Sequence, residues 1–454
     1  MIDSGRSVLE HDLRILRRLN GWPIAAVCLG LVAASAGYVA LHSFLIVITE
    51  TSALLIGDVY AFYYTDYFSY LDGYYSLWQL FQYHNEHLIL TTRLVLFVDT
   101  IWFGASGKFA IMVSYVLVFV TSLMMAYLAA TPNKWERTAL AFVFLGLGCS
   151  VIQLDNLSLP FQVQFFFIHA FALAALIALW RGLQGRRWWY VLACACDFGA
   201  AFSLGTGVLL GGACLALAVW IRRMDRWLAI FLTFHLLLVF LYVWIVVIPY
   251  VWVFVVPVTP VFSSPAALFV YFLTFLGNFA AAWPKWALPA GAVIAVACAG
   301  IFSWLTWRAL FRGLRCGEEA VIAAFAVFVI LEAITASIGR AKFGVDQALA
   351  LRYTTCTLLL VAALFAFVWR AAPQVLSRVT ALVALSATLV AANNAGFENG
   401  WRARNRAMDA ITAEINDGDV SADAAANLFV PRPILEAIIT RFRKLHLGPF
   451  RGTN

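Results

Sequence analysis

Between the first two long apolar runs lies a polar, aromatic-rich stretch, residues 50–108. It gathers Asp58, Asp66, Asp72, the tetrad His84-Asn85-Glu86-His87, and Arg93. A carboxylate set among tyrosines suits general-base work, because a partly apolar setting raises its pKa toward the useful range. Asp58 (in Gly57-Asp58-Val59-Tyr60) and Asp66 (in Tyr64-Thr65-Asp66-Tyr67) both fit that description. The plain alternative for either one is an aspartate that caps a surface helix. Over 76–98 the spacing of Leu77, Leu80, Phe81, Leu88 and Val95 predicts an amphipathic helix at the membrane surface, with His84 as a packing residue on its apolar stripe. On such a helix Glu86 and Arg93 share a face but stand about 10.5 Å apart, so they address a third group, not each other. The His-x-Glu-His spacing matches neither metalloprotease arrangement, and no nearby cysteine or third histidine completes a zinc site.

A second constellation is Gly339-Arg340-Ala341-Lys342-Phe343-Gly344, followed by Leu351-Arg352-Tyr353-Thr354-Thr355. Guanidinium is a fork donor to phosphate oxygens, so Arg340, Arg352 and Lys342 around one short loop suit a phosphate or pyrophosphate. Their plain alternative is anchoring of helix ends at lipid headgroups. A third string runs Asp155-Asn156-Leu157-Ser158-Leu159-Pro160-Phe161-Gln162-Val163-Gln164, where polar groups lead directly into an apolar span and each needs a partner. Asp197 and Glu332 lie inside spans, where an ionised group costs about 2.5–3.5 kcal/mol on insertion scales, so they should face the bundle interior or a wet cavity. An ion-coupled transporter would explain those two acids as well.

The elements that must position these residues are membrane helices. The chain is 63% hydrophobic and only 12% charged, with 17 tryptophans and a mean hydropathy of +0.86. A soluble protein of 454 residues could not cover itself with so few charges. Apolar windows fall at 22–48, 109–130, 138–153, 163–180, 188–204, 206–221, 227–250, 287–309, 320–338, 353–369 and 379–395, which predicts an all-α bundle of about eleven crossings. The first is read as a retained signal anchor. If the N-terminus is cytoplasmic, the short basic loops Lys134/Arg137, Arg181/Arg186/Arg187, Arg222/Arg223/Arg226, Arg308/Arg312/Arg315 and Arg370/Arg378 all fall inside. The net charge of +7 therefore has a topological explanation and needs no nucleic acid. The expected organisation is a cytoplasmic segment 1–21, a transmembrane domain 22–395 with a long outer loop at 49–108, and a short outer tail 396–454. A capped helix in the interface is expected from Ser263-Ser264-Pro265 to Leu276, and a tight glycine turn at Ser203-Leu204-Gly205-Thr206-Gly207. Most cysteines sit inside apolar runs and read as small core residues.

Taken together, these residues resemble the GT-C superfamily of integral-membrane glycosyltransferases, which use polyprenyl-phosphate-linked sugars. The likeness lies in the layout of spans and first outer loop. It extends to a group of bacterial membrane proteins through His84-Asn85-Glu86-His87, Asp155-Asn156-Leu157 with Phe161-Gln162-Val163-Gln164, Ser203-Leu204-Gly205-Thr206-Gly207, and Gly339-Arg340 through Arg352-Tyr353-Thr354. The family's acidic start reads Thr65-Asp66 here, which leaves Asp66 and Asp58 both open as the key carboxylate. The resemblance implies inverting sugar transfer at the outer surface of a bacterial inner membrane, from a polyprenyl-phosphate donor to a glycan, lipid or protein acceptor of the cell envelope. It implies Asp66 or Asp58 as base, with Glu86 beside them. Arg340, Arg352, Arg93, Lys342 and Tyr353 would hold the donor phosphate. His87, Asn85, Asn156, Gln162 and Gln164 would orient substrates. No cofactor is expected beyond the lipid-linked sugar itself as substrate, with a divalent metal left open. The rival expectations are an ion-coupled transporter or flippase, and a polymerase or ligase of lipid-linked glycans.

Overall fold

The computed structural model describes residues 3–85, 87–250, 264–313, 317–371, 375–416 and 420–451, with backbone alone for 3–24, 250 and 375. Glu86, Arg315 and residues 251–263, with Ser263 at the start of the expected capped helix, lie outside the described residues. What is described is almost wholly helical, one of the two ways, with the closed barrel, in which a chain can satisfy its backbone polar groups within hydrocarbon. Among the described residues, eight helices are long and apolar enough to cross a membrane: Ala25–Glu50, Lys108–Ala129, Pro160–Leu183, Arg226–Val247, Pro284–Phe311, Glu318–Phe343, Leu351–Ala371 and Leu376–Asn416. A ninth crossing arises if Lys134–Gly148 and Val151–Ser158, bent by 50° at their junction, act as one span. Helix occupies each of the eleven predicted positions, but two of them are short. Trp189–Ala201 has 13 residues, about 20 Å of helix, against a hydrocarbon core of about 30 Å. Its successor Leu210–Ile221 has 12.

The predicted glycine turn joins those two short helices. At Gly207 a Cβ would stand 2.1 Å from the carbonyl oxygen of Ala200, so only glycine lets the turn close against the helix before it. Gly207→Ala is expected to lower stability by about 1–3 kcal/mol through overpacking, read as a fall in the thermal midpoint of the detergent-solubilised protein. At the centre of the bundle, helix Val163–Leu183 is the most enclosed span. Its Ala172, Ala175 and Ala178 are fully buried, small residues that let neighbouring helices approach closely.

The predicted helix over 76–98 is corrected by the structure. Residues Leu77–Phe81 form a short 3-10 turn, Tyr83–His84 pairs with His87–Leu88 as a two-stranded hairpin, and a helix begins only at Leu90. Asn85 stands at the hairpin turn with φ +50°, a left-handed conformation that asparagine tolerates better than most residues. The apolar positions that suggested one stripe therefore belong to three different elements.

The tail was expected as a separate short segment, yet it shares a core with the first loop. Leu54, Val59, Phe62 and Tyr63 pack with Met408, Ile411, Leu435, Ile438 and Phe442, and the Tyr63 and Phe442 rings meet edge to face at 4.8 Å. Ion pairs tie the tail to this end of the protein: Arg441 to Asp72 of the first loop at 2.6 Å, Arg402 to Glu50 at the end of the first helix, and Arg404 to Asp155 in Leu154–Ser158 at 2.6 Å. The short basic loops gather at the other end of the bundle. There Arg137 and Arg181 both cover the Tyr127 ring, Arg370 pairs with Glu318 at 3.0 Å, and Arg308 with Glu319 at 3.6 Å. The expected capped helix is Pro265–Leu276, with the Ser264 hydroxyl accepting from Ala267 N–H at 3.2 Å.

Candidate active site

At the end of the bundle that carries the first loop, a cavity of about 460 Å³ opens between the hairpin and the starts or ends of four helices. Its wall brings together eight of the sequence-predicted residues: Asp58, Asn85, His87, Gln162, Gln164, Arg340, Arg352 and Tyr353. They come from three stretches more than seventy residues apart, the first loop, the entry to helix Val163–Leu183, and the loop after helix Glu318–Arg340.

The two candidate aspartates part company here. Asp58 is 61% exposed on the cavity wall, whereas the Asp66 side chain is 7% exposed and committed to protein groups. Gly57, at φ +76°, turns the chain just before Asp58, and its N–H is held by the Leu428 carbonyl of the tail at 3.1 Å. Asp58 precedes the short helix Val59–Ala61 but its side chain makes no cap bond, which disposes of the capping alternative. His84 Nε2 lies 3.9 Å from its carboxylate, and the His84 ring packs on Phe161 at 5.1 Å. The His84 ring, with Arg352 and His87 adding positive charge, holds the Asp58 carboxyl below its ordinary value in spite of partial burial. A raised pKa was expected for this residue; the cations facing it outweigh desolvation.

Asp66 sits in a π-helical turn, Phe62–Tyr67, that aims its carboxylate inward. It accepts from Tyr75 Oη at 3.0 Å and Thr65 Oγ1 at 2.9 Å, and pairs with Arg93 Nε at 3.0 Å. Arg93 is itself buried, and its Nη1 donates to the carbonyls of Leu80 and Gln82. Arg93 thus faces protein on all these sides and fixes the approach to the hairpin; the structure does not open it to a phosphate. Lys342 is exposed, its ammonium 5.2 Å over the Phe343 ring, and it lies off the cavity wall.

The same cavity wall carries the two arginines. Arg340 ends helix Glu318–Arg340, and Arg352 follows the intervening loop, its Nη2 donating to Gln347 Oε1 at 3.3 Å and its guanidinium 5.2 Å over the Tyr353 ring. Tyr353 packs in turn on Phe275 at 4.8 Å. Two buried asparagines clamp this loop from either side. Asn156 Nδ2 donates to Leu351 O at 3.1 Å and to Thr355 Oγ1 at 3.0 Å, while Asn278 Nδ2 donates to Ala348 O at 2.8 Å and Ala350 O at 3.2 Å. Asn156 therefore positions the arginine loop from behind and does not line the cavity. Replacing Asn156 with Leu removes one of two donors from the Leu351 carbonyl, which keeps the Thr354 hydroxyl at 2.6 Å, and the amide donor from the Thr355 hydroxyl oxygen. A loss of about 1–3 kcal/mol is expected, measured by thermal unfolding.

Gln162 and Gln164 each carry a buried carbonyl oxygen with no hydrogen-bond partner, and both residues line the cavity. Such an acceptor costs free energy unless a ligand or water supplies a donor. Residues that sequence reasoning did not place in the site also line it: His84, Phe161, Thr206, Glu332 and Cys356. Glu332 is buried, as expected of an acid inside a span, and it faces this cavity. His84 stands in the tetrad that the sequence singles out, but its place on the supposed apolar stripe read as packing; Cys356, a thiol in an apolar run, carried no distinguishing pattern. Compared with protein-family models, curated proteins and solved structures, the chain matches none of them.

Proposed function

We propose that this chain is a membrane glycosyltransferase that moves a sugar from a polyprenyl-phosphate donor to a cell-envelope acceptor, with the positive-inside pattern setting the cavity on the periplasmic side of the inner membrane. One observation supports the reading: an exposed carboxylate, Asp58, and two guanidiniums, Arg340 and Arg352, share the wall of one cavity, whose lining also includes aromatic rings, amides and the buried Glu332. Asp58 takes the proton of the acceptor hydroxyl as that oxygen attacks the anomeric carbon. The bond from that carbon to the phosphate oxygen breaks, and its electron pair leaves on the lipid phosphate. Arg340 and Arg352 hold that developing charge. The aromatic rings of Phe161, Phe165 and Phe275 at the same cavity suit the first isoprene units of the donor.

The test is sugar transfer by the protein reconstituted in vesicles, with a panel of polyprenyl-monophosphate sugars and envelope acceptors. Arg352→Ala should lower kcat by about 10²–10³-fold, the loss seen when one preorganised charge-stabilising donor is removed. Undiminished transfer in the Arg340→Ala/Arg352→Ala double variant would overturn the reading. Turnover only with a lipid-pyrophosphate oligosaccharide would move the protein to the polymerase or ligase class.

A carrier reading draws on the carboxylate–imidazole pair inside the bundle, Asp197 with His235 at 3.0 Å, both buried. Uptake into proteoliposomes that is lost in Asp197→Asn, with no donor consumed, would favour it.

A further inference from the structure

We infer that His169, Glu332 and Cys356 form a binding site for a divalent transition metal of the zinc class in the wall of the cavity. Three separate helices supply them: Val163–Leu183, Glu318–Arg340 and Thr354–Ala371. Their ligand atoms all lie within 4.8 Å of one another, and the three residues are 1%, 3% and 3% exposed. Imidazole, carboxylate and thiolate together suit zinc, whereas magnesium and calcium take oxygen ligands.

The surroundings are those of a metal site. His169 Nδ1 lies 2.6 Å from the carbonyl oxygen of Phe165, a group that can only accept, so Nδ1 carries the proton. That fixes the tautomer and leaves Nε2 directed at Glu332 Oε2, 2.8 Å away. Histidines that ligate metals are oriented in this way by a hydrogen bond from their other nitrogen. The second carboxylate oxygen is held as well: Thr206 Oγ1 donates to Glu332 Oε1 at 2.8 Å. Nε2 and Oε2 can share one proton between them; a divalent cation beside Cys356 Sγ displaces that proton and the thiol's own, two protons in all, which leave to solvent through the cavity. One carboxylate and one thiolate then balance the two positive charges, which matters in a low-dielectric bundle where an unbalanced charge is expensive.

The site is not closed. Glu332, Cys356 and Thr206 all border the cavity, and so does Gln164, a buried residue whose carbonyl oxygen lacks a partner. Three protein ligands and an open side are the pattern of zinc sites that keep a water in the fourth position. Gln164 would accept from that water. The ligands are spread over 187 residues with no local spacing motif, so nothing in the sequence joins them.

The test reads metal and not sugar transfer, so it stands or falls apart from the activity proposed above. The full chain, purified without chelator, is analysed for zinc, stripped, and titrated with Co²⁺ alone. One equivalent per chain is expected, with a thiolate-to-cobalt charge-transfer band. Cys356→Ser should abolish that band, while Cys28→Ser keeps it. Thr206→Val should weaken binding by about 10–100-fold through the lost hydrogen bond on the ligating carboxylate. As a check that needs no variant, zinc should raise the thermal midpoint of the stripped wild-type protein and a chelator should reverse it. Substoichiometric metal in the wild type with no thermal shift would overturn the inference and leave a proton-sharing histidine–glutamate pair. Retention of the band in Cys356→Ser would overturn it equally, by assigning the thiolate elsewhere.

Discussion

Asp58→Asn is expected to lower kcat for sugar transfer by about 10²–10⁴-fold, the range that a positioned general base contributes, with little change in thermal stability. The side chain is largely exposed, makes no cap bond, and its amide isostere fills the same space. What the change removes is the anion that accepts the acceptor's proton. The pH profile gives a second reading of the same claim. With His84 beside it, the Asp58 carboxyl titrates below the ordinary value of about 3.9. Its basic form is therefore fully present at neutral pH and is lost only as pH falls through that depressed value. The acid limb of kcat/KM due to Asp58 should accordingly lie below about pH 4. A limb at pH 6–7 that survives in His84→Gln and His87→Gln would point to another base. Wild-type turnover by Asp58→Asn would remove this residue from the chemistry.

Much of the architecture is legible in the sequence because it rests on composition, the strongest signal a membrane protein offers. Long apolar runs become helices wherever backbone groups have no water to bond, and the basic loops mark one end of the bundle. The arginine loop was visible for a similar reason: Arg340 and Arg352 stand out against apolar neighbours. The hairpin was not. Leu80, Leu88 and Val95 lie eight and seven residues apart, and those separations fit a helical period whether or not the chain between them is helical. The contrary signal was Asn85, a residue suited to a left-handed turn, with aromatic or branched residues before and after. The choice between Asp58 and Asp66 was also beyond the sequence. Both are aspartates among tyrosines, and only the tertiary position of Arg93 buries one of them. The same holds for the tail, whose Leu435, Ile438 and Phe442 mark an amphipathic helix without saying that its partner is the first loop.

Arg93→Ala is expected to destabilise the protein by about 3–5 kcal/mol, because it leaves the Asp66 carboxylate buried without its cation. The pair is enclosed on both sides, 5% and 7% exposed, so solvent offers little screening. Asp66→Ala should cost a comparable amount by stranding the guanidinium. The informative variant removes both charges at once. Asp66→Leu with Arg93→Met replaces two buried ions by apolar groups, and such replacements are often neutral or stabilising in other proteins. The double variant should therefore regain most of the stability lost by either single change. Activity separates the structural role of this pair from catalysis. Arg93 also holds the carbonyls of Leu80 and Gln82, just ahead of the strand that carries His84, so the double variant keeps the fold but loosens the hairpin beside Asp58. It should then retain measurable transfer at reduced kcat, with the acid limb unchanged because Asp58 is intact. Complete loss of turnover in a stable double variant would instead place Asp66 in the reaction, and the assignment of the base would have to be reopened.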